Sequence, residues 1–448
     1  MNLIVISTDT WRADHVGCYG NDWIQTPNLD RLATEGIVFD NFYAEALPTL
    51  CARSVFYTGR HLWPHWQVKE HGGDHLGYQP GWHQIPEEHV TISETLQAAG
   101  YATALISDLY HQFKPTGNWH RGFDAWRWIR GQEQDRYITG PRDAIDLTPY
   151  IKEGTYQQRR FQGLEQYLLN QLDRKSEEDY LCAQVLRTAA EWLDRNTGNQ
   201  PFMLWCECFD PHEPWDPPTE YADRYFRDYS GPDLIVPIGD VSKLTKDELR
   251  RIKALYAGEC SLVDTWIGHL FDVLDRRGMW DDTIVVFLSD HGTNLGERGM
   301  VQKRPWTLEN QETKLPLIIR HPDRGLGGRR VETLLQAPDL APTLLGLLRQ
   351  EIPSTMTGCD FWPAVNHPDA ALHPEIVTAY GPFAALRNKE WVYTARYAPE
   401  GQMGRADTVP PRLCRATDDL TDVIQDHPQV AEEMAAKLRL VSGGTRAS

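Results

Sequence analysis

No apolar run in the 448 residues is long enough to span a membrane. The first hydrophobic stretch, Leu3 to Ile6, is also too short for a secretory leader, and no basic segment precedes it. With Met1 as the native start, this predicts a cytoplasmic protein. Basic residues are the second shortage. Lys and Arg total 45 against 63 Asp and Glu, a formal net charge of −18. So acidic a chain repels nucleic-acid backbones and anionic lipid, and neither is expected as a partner. Cysteine is sparse as well. The eight are scattered, and Cys206-Glu207-Cys208 has no second pair to complete a zinc site. It reads as alternate faces of a strand, and the whole set fits free thiols in a reducing compartment. Internal repeats and low-complexity segments are absent too.

What is present is a globular chain, 41% hydrophobic and with 16 Trp. Its pattern alternates strands and helices. Strands are expected at 3–7, 37–43, 102–107, 202–209, 283–289 and 315–320, and helices at 27–36, 53–58, 91–99, 180–196, 255–277 and 337–348. Thr91 with Glu94 three residues later forms a capping box. The fold class is therefore α/β, a three-layer sandwich around a large, mainly parallel sheet. Residues 1–350 form one catalytic domain, with 130–178 as a lid or insertion. Residues 351–448 form a smaller α+β domain, with strands at 376–380, 383–387 and 391–396 and a helix at 427–440.

In such a sheet, ligands bind beyond the carboxyl ends of strands. Asp9, Asp210 and Asp290 all fall there. Two aspartates and a histidine, Asp9, Asp290 and His291, can hold a divalent ion through oxygen and imidazole. A hydroxyl beside that ion loses its proton more readily, which makes Thr49 a candidate alkoxide nucleophile and a further metal ligand. Arg53, one helical turn on, can steady an anionic ester oxygen. His212 and Lys303 can bind the other oxygens or serve the leaving group. Asp210 and His111 are candidates for the surrounding pocket, and Asp210 alternatively for a second metal. His61, His65 and His120 read as rim or packing residues, Glu297 and Arg298 as loop salt-bridge partners.

Several motifs resemble one known family. Asp9-Thr-Trp-Arg-Ala-Asp-His-Val-Gly-Cys-Tyr-Gly20, Thr26-Pro-Asn-Leu-Asp-Arg-Leu-Ala-Thr-Glu-Gly36, Arg121-Gly-Phe-Asp124 and Asp281-Asp-Thr-Ile-Val-Val-Phe-Leu-Ser-Asp-His-Gly292 follow the order seen in sulfatases and phosphonate monoester hydrolases of the alkaline phosphatase superfamily. The similarity runs from residue 1 to about 345. It implies an alkaline-phosphatase-like fold and one divalent ion (Mn, Zn, Ca or Mg), with a second as an alternative. The segment Pro48-Thr49-Leu-Cys-Ala-Arg53, closing at Thr58-Gly59, is similar to the family's C-x-P-S-R-x-x-x-x-T-G. It puts Thr49 where sulfatases convert Cys or Ser to formylglycine. Threonine carries a β-methyl group and cannot give that aldehyde. Thr10, Arg298 and the run Ser107-Asp-Leu-Tyr-His111 also depart from the pattern, the last by losing a lysine near the substrate anion. The resemblance therefore points to phosphate diesters or phosphonate monoesters as substrates. Sulfate-ester hydrolysis without formylglycine is one alternative, and a non-catalytic anion-binding protein another. The expected partner is a small anionic ester; homo-oligomerisation is left open.

Overall fold

The computed structural model describes residues 1–64, 81–114, 117–141, 145–152, 158–237, 239–367, 371–397 and 409–442. His65, one of the expected rim histidines, lies outside them. Every residue of β1 (Asn2–Thr8) is buried, as in a strand covered on both faces. It pairs in parallel with β7 (Phe202–Cys208) on one side and β8 (Thr283–Ser289) on the other. Beyond β7 lie β5 (Ala102–Ser107) and the edge strand β6 (Ala125–Trp128), both parallel. Beyond β8, the antiparallel β10 (Leu317–Arg320) leads to β2 (Ile37–Phe39) and β11 (Arg329–Val331). The result is a mostly parallel eight-stranded sheet.

Strand alternation divides the core. Leu3 and Val5 join a cluster with α2 (Thr49–Thr58) and α3 (Ile92–Ala98). Ile4 and Ile6 join the opposite cluster with α1 (Pro27–Glu35), α4 (Gln158–Asn170), α5 (Leu181–Arg195), α6 (Thr219–Asp223) and α7 (Lys246–Arg277). Cys206 and Cys208 both face this second cluster, while Trp205 faces the first. The two cysteines thus share one face of the strand, not the alternate faces expected, because residues two apart point the same way.

Four element boundaries need correction. The strand expected over 315–320 breaks at Pro316, with Leu315 in a small separate sheet and Leu317–Arg320 forming β10. The strand expected over 37–43 stops at Phe39. Asp40 and Asn41 turn the chain into β3 (Phe42–Tyr43), which pairs with β9 (Lys314–Leu315) and β12 (Leu335–Gln336) in a small separate sheet. The helix expected from 255 starts at Lys246, behind a Thr245–Glu248 capping box. Its first turns are mostly charged and carry little apolar periodicity. The helix expected over 53–58 starts at Thr49 and is buried on all sides, so no amphipathic stripe marks its first turn.

The expected strands β13 (Ile376–Tyr380), β14 (Phe383–Arg387) and β15 (Trp391–Arg396) form an antiparallel run that continues into β16 (Arg412–Arg415). A helix at Pro428–Val441 packs on them through Ala431, Met434 and Leu438. The fifth strand of this sheet comes from far away: β4 (Ala46–Leu47) pairs in parallel with Ala379 and Tyr380. The chain entering Thr49 is thus a strand of the C-terminal sheet. The described part of 130–178 is tied down by α4, whose Asn170 amide donates to the carbonyls of Gly131 (3.0 Å) and Asp135 (2.7 Å).

Candidate active site

Asp9 and Asp290 emerge directly from the ends of adjacent strands β1 and β8, so sheet pairing places them side by side. His291 follows. Among the described residues, Asp9, Asp290 and His291 are the group whose donor atoms lie close enough to hold a metal ion, all within 4.8 Å of one another. All three are fully buried. His291 Nδ1 lies 2.9 Å from the Gly292 carbonyl, to which it donates, so Nε2 carries the free lone pair. That Nε2 is closed to solvent and takes no hydrogen bond. Asp9 Oδ2 also has no hydrogen bond, only an ion pair to Arg53 Nη1 at 3.0 Å. Burial and the Lys303 charge push the His291 pKa well below its ordinary value, which keeps the ring neutral. Two carboxylates and a neutral imidazole with an unspent lone pair fit a divalent ion.

Arg53 is the electrostatic centre. It has no exposed surface and pairs with Asp9, Asp290 and Glu207. Nε and Nη2 both donate to Glu207 Oε1, at 2.9 and 2.6 Å. Three carboxylates around one guanidinium leave an excess of negative charge for a cation to balance. Burial alone would raise the Asp9 pKa, but Arg53 above all, with Lys303, holds it well below the carboxylate range. Asp290 is pushed up by burial and by Asp9. Arg53 Nη1 also donates to the Thr49 carbonyl at 3.3 Å, which places the first residue of α2 beside the cluster. Thr49 is buried, with φ of 23°. Thr10, next to Asp9, has φ of 66°. Left-handed backbone at a β-branched residue costs about 1–3 kcal/mol and gathers at functional sites.

Thr10, which departs from the family's pattern, is a connector. Its amide donates to Asp290 Oδ1 at 2.9 Å, and its hydroxyl to Asp9 Oδ1 at 2.6 Å. Lys303 Nζ reaches that hydroxyl at 3.5 Å and His212 Nε2 at 2.7 Å. His212 Nδ1 donates to the Glu213 carbonyl at 2.7 Å, so its Nε2 is the acceptor and Lys303 holds the proton. Burial works against the Lys303 charge, yet Glu213 and Asp9 outweigh it and raise the pKa.

His111 has Nε2 3.0 Å from Glu133 Oε2 and Nδ1 3.2 Å from Lys114 Nζ. A lysine therefore stands at this histidine, although the preceding run lacks one. Asp210 does not join the cluster. Its Oδ1 accepts from Gln132 Nε2 at 2.7 Å, its Oδ2 from the Cys182 amide at 3.3 Å, and burial raises its pKa to about 6. His120 packs on Trp126, and His61 bonds Thr357. Arg298 pairs with Glu309 and donates to the Asp419 carbonyl, tying the loop to the C-terminal sheet, while Glu297 pairs with Arg12 at 2.9 Å. Sequence reasoning missed Glu207, Glu133 and Gln132, and also Tyr380, whose phenol adds to the field at Lys303. Glu207 did leave a signal: an acid inside an otherwise apolar central strand needs a buried partner.

A sequence model of the family described as Sulfatase matches residues 1–350. An arylsulfatase of Clostridium perfringens is 26% identical over 398 residues, covering 80% of this chain and 76% of its own. An N-acetylglucosamine-6-O-sulfatase of Bacteroides thetaiotaomicron is 25% identical over 443 residues, covering 82% and 71%. The phosphonate monoester hydrolase of Agrobacterium radiobacter superposes with a TM-score of 0.73 at 21% identity, covering 99% of this chain and 96% of that one. Among the described residues no helix is long and apolar enough to cross a membrane.

Proposed function

The chain is an ester hydrolase of the Sulfatase family, within the alkaline phosphatase superfamily, and from that premise we propose that it cleaves phosphate diesters or phosphonate monoesters with Thr49 as the nucleophile. The observation that carries this reading is Thr49 at the first turn of α2, its carbonyl bonded to the guanidinium that joins Asp9 and Asp290. A threonine there excludes the formylglycine route of sulfatases and leaves a hydroxyl to attack phosphorus.

Asp9, Asp290 and His291 would hold one divalent ion, with Thr49 as a further donor. When bound, the ion supplies Lewis acidity and lowers the pKa of the Thr49 hydroxyl. Thr49 Oγ1 forms a bond to phosphorus while the bond from phosphorus to the alcohol oxygen breaks on the opposite side. The Lys303 ammonium, steadied by His212, gives the departing oxygen its proton. Water then cleaves the phosphothreonine ester and returns the Thr49 hydroxyl, while the Lys303 amine takes back from solvent the proton that Thr49 released to solvent in the first step. Arg53 and the amino end of α2 offset the charge on the phosphoryl oxygens.

Purified protein should hydrolyse bis(4-nitrophenyl) phosphate and stop on chelation, and elemental analysis should find one divalent ion per chain. Thr49→Ala should abolish turnover; full activity in that variant ends the proposal. The sulfatase names of several relatives favour a second reading, sulfate-ester hydrolysis by the same threonine. Faster turnover of an aryl sulfate than of any phosphorus ester selects it.

A further inference from the structure

A cleft of about 190 Å³ adjoins the Lys303–His212 pair, with Glu133, Gln134, Leu164, Glu213, Pro214 and Gln302 in its wall. Glu213 directly follows His212, and Gln302 directly precedes Lys303. The alcohol released at Lys303 therefore has this cleft next to it. The space is below the roughly 300–1,000 Å³ of sites for drug-sized ligands, so it takes one small group rather than a long chain. Its charge is one-sided. Two carboxylates line it, and no lysine or arginine among the described residues does.

Neither carboxylate forms an ion pair with a lysine or arginine among the described residues. Glu133 bonds His111, and that hydrogen bond with the nearby Lys303 charge keeps it ionised. Glu213 Oε2 is closed to solvent and takes no hydrogen bond. His212 Nδ1 is 3.5 Å from that oxygen, but its proton goes to the Glu213 carbonyl. Of the charges acting on Lys303, Glu213 is the strongest, and the ester anion draws on the same ammonium. Once substrate is bound, Glu213 and Glu133 face the alcohol with charge to spare. A like charge placed beside them is repelled in a poorly solvated space.

The geometry points to Glu133 and Glu213 as the specificity determinants for the alcohol portion: they favour a small alcohol bearing a positively charged group, such as an ammonium, and reject one bearing a second anion. This rests on the proposed reaction, in which the leaving oxygen sits at Lys303. It adds a charge rule that the ester chemistry alone does not contain.

The test uses the ester headgroup that nitrophenyl substrates show to be turned over best. Three alcohols of similar size are compared on that headgroup: 2-(trimethylammonio)ethyl, its neutral isostere 3,3-dimethylbutyl, and the anionic 3-carboxypropyl. The expected kcat/KM order is cation, neutral, anion, with roughly tenfold between neighbours, the worth of one partly screened charge contact. Glu213→Gln and Glu133→Gln should each compress the spread, and high salt should compress it in the wild type. Equal rates for the three alcohols, an anion preferred, or a spread untouched in both variants and in salt overturns the inference. Failure of the nitrophenyl esters instead strikes the parent reaction, so the two failures are distinct.

Discussion

Arg53 shows how one buried side chain holds a site together. Its guanidinium serves Asp9, Asp290 and Glu207 at once, with no solvent to take over if it is removed. Arg53→Ala should lower kcat by roughly 10²–10³, the usual loss for one charge-stabilising group. It should also destabilise the metal-free protein by about 3–5 kcal/mol, because buried carboxylates lose their counter-charge. Urea unfolding in chelator and nitrophenyl ester kinetics check the two effects separately, and added divalent ion should raise the Tm of the variant more than that of the wild type. At this scale the sequence was informative in a specific way. Asp9, Asp290 and His291 were readable because they sit at strand ends within motifs, and Arg53 because of its spacing from Thr49. Glu207 is inside a strand, and what lies across from it depends on which helix covers that face. Local pattern does not carry that information.

Among the elements, the loop after β6 has the largest functional share that the sequence left unread. It brings Gln132 to Asp210 and Glu133 to His111, yet its residues are polar and without period. Burial pushes the Glu133 pKa up, but the His111 hydrogen bond and the Lys303 charge outweigh it and hold the group at about 2, against an ordinary 4.5. A depressed carboxylate stabilises the fold fully above its unfolded pKa and loses that contribution as pH falls through the folded one. The window here runs from about pH 4.5 down to about 2. Within it the wild type should lose up to about 1.4 kcal/mol per pH unit through this group. Urea unfolding at about pH 5 and about pH 3 measures the slope, and Glu133→Gln should flatten it relative to the wild type. The early start of α7 went unread for a related reason: a capping box was present at Thr245 and Glu248, but the charged turn behind it hid the helix.

Across the whole molecule, the C-terminal sheet takes part in positioning the segment that leads into Thr49. β4 joins β13 two residues before Thr49, and the Ala379 amide donates to the Glu45 carbonyl at 2.8 Å. Strands β13 to β15 of this sheet were legible as short, largely apolar runs. Their partner was not, since two residues at 46–47 make no pattern. Ala379→Pro removes that donor from the interior of a sheet, where a ladder hydrogen bond is lost. The expected outcome is a lower kcat with little change in metal affinity, because Asp9, Asp290 and His291 hang from the other sheet. Nitrophenyl kinetics and calorimetric titration with Mn²⁺ separate the two.

The same strand pair sets a schedule for synthesis. Thr378 Oγ1 bonds the carbonyl of Ala44, 334 residues earlier in the chain. A chain emerging from the ribosome can pair β1, β7 and β8, and so assemble the carboxylates and His291, while β13 has still to be made. The segment that presents Thr49 must wait for its partner strand. The nascent chain can therefore bring Asp9, Asp290 and His291 together before Thr49, the proposed nucleophile, is fixed in place by its partner strand.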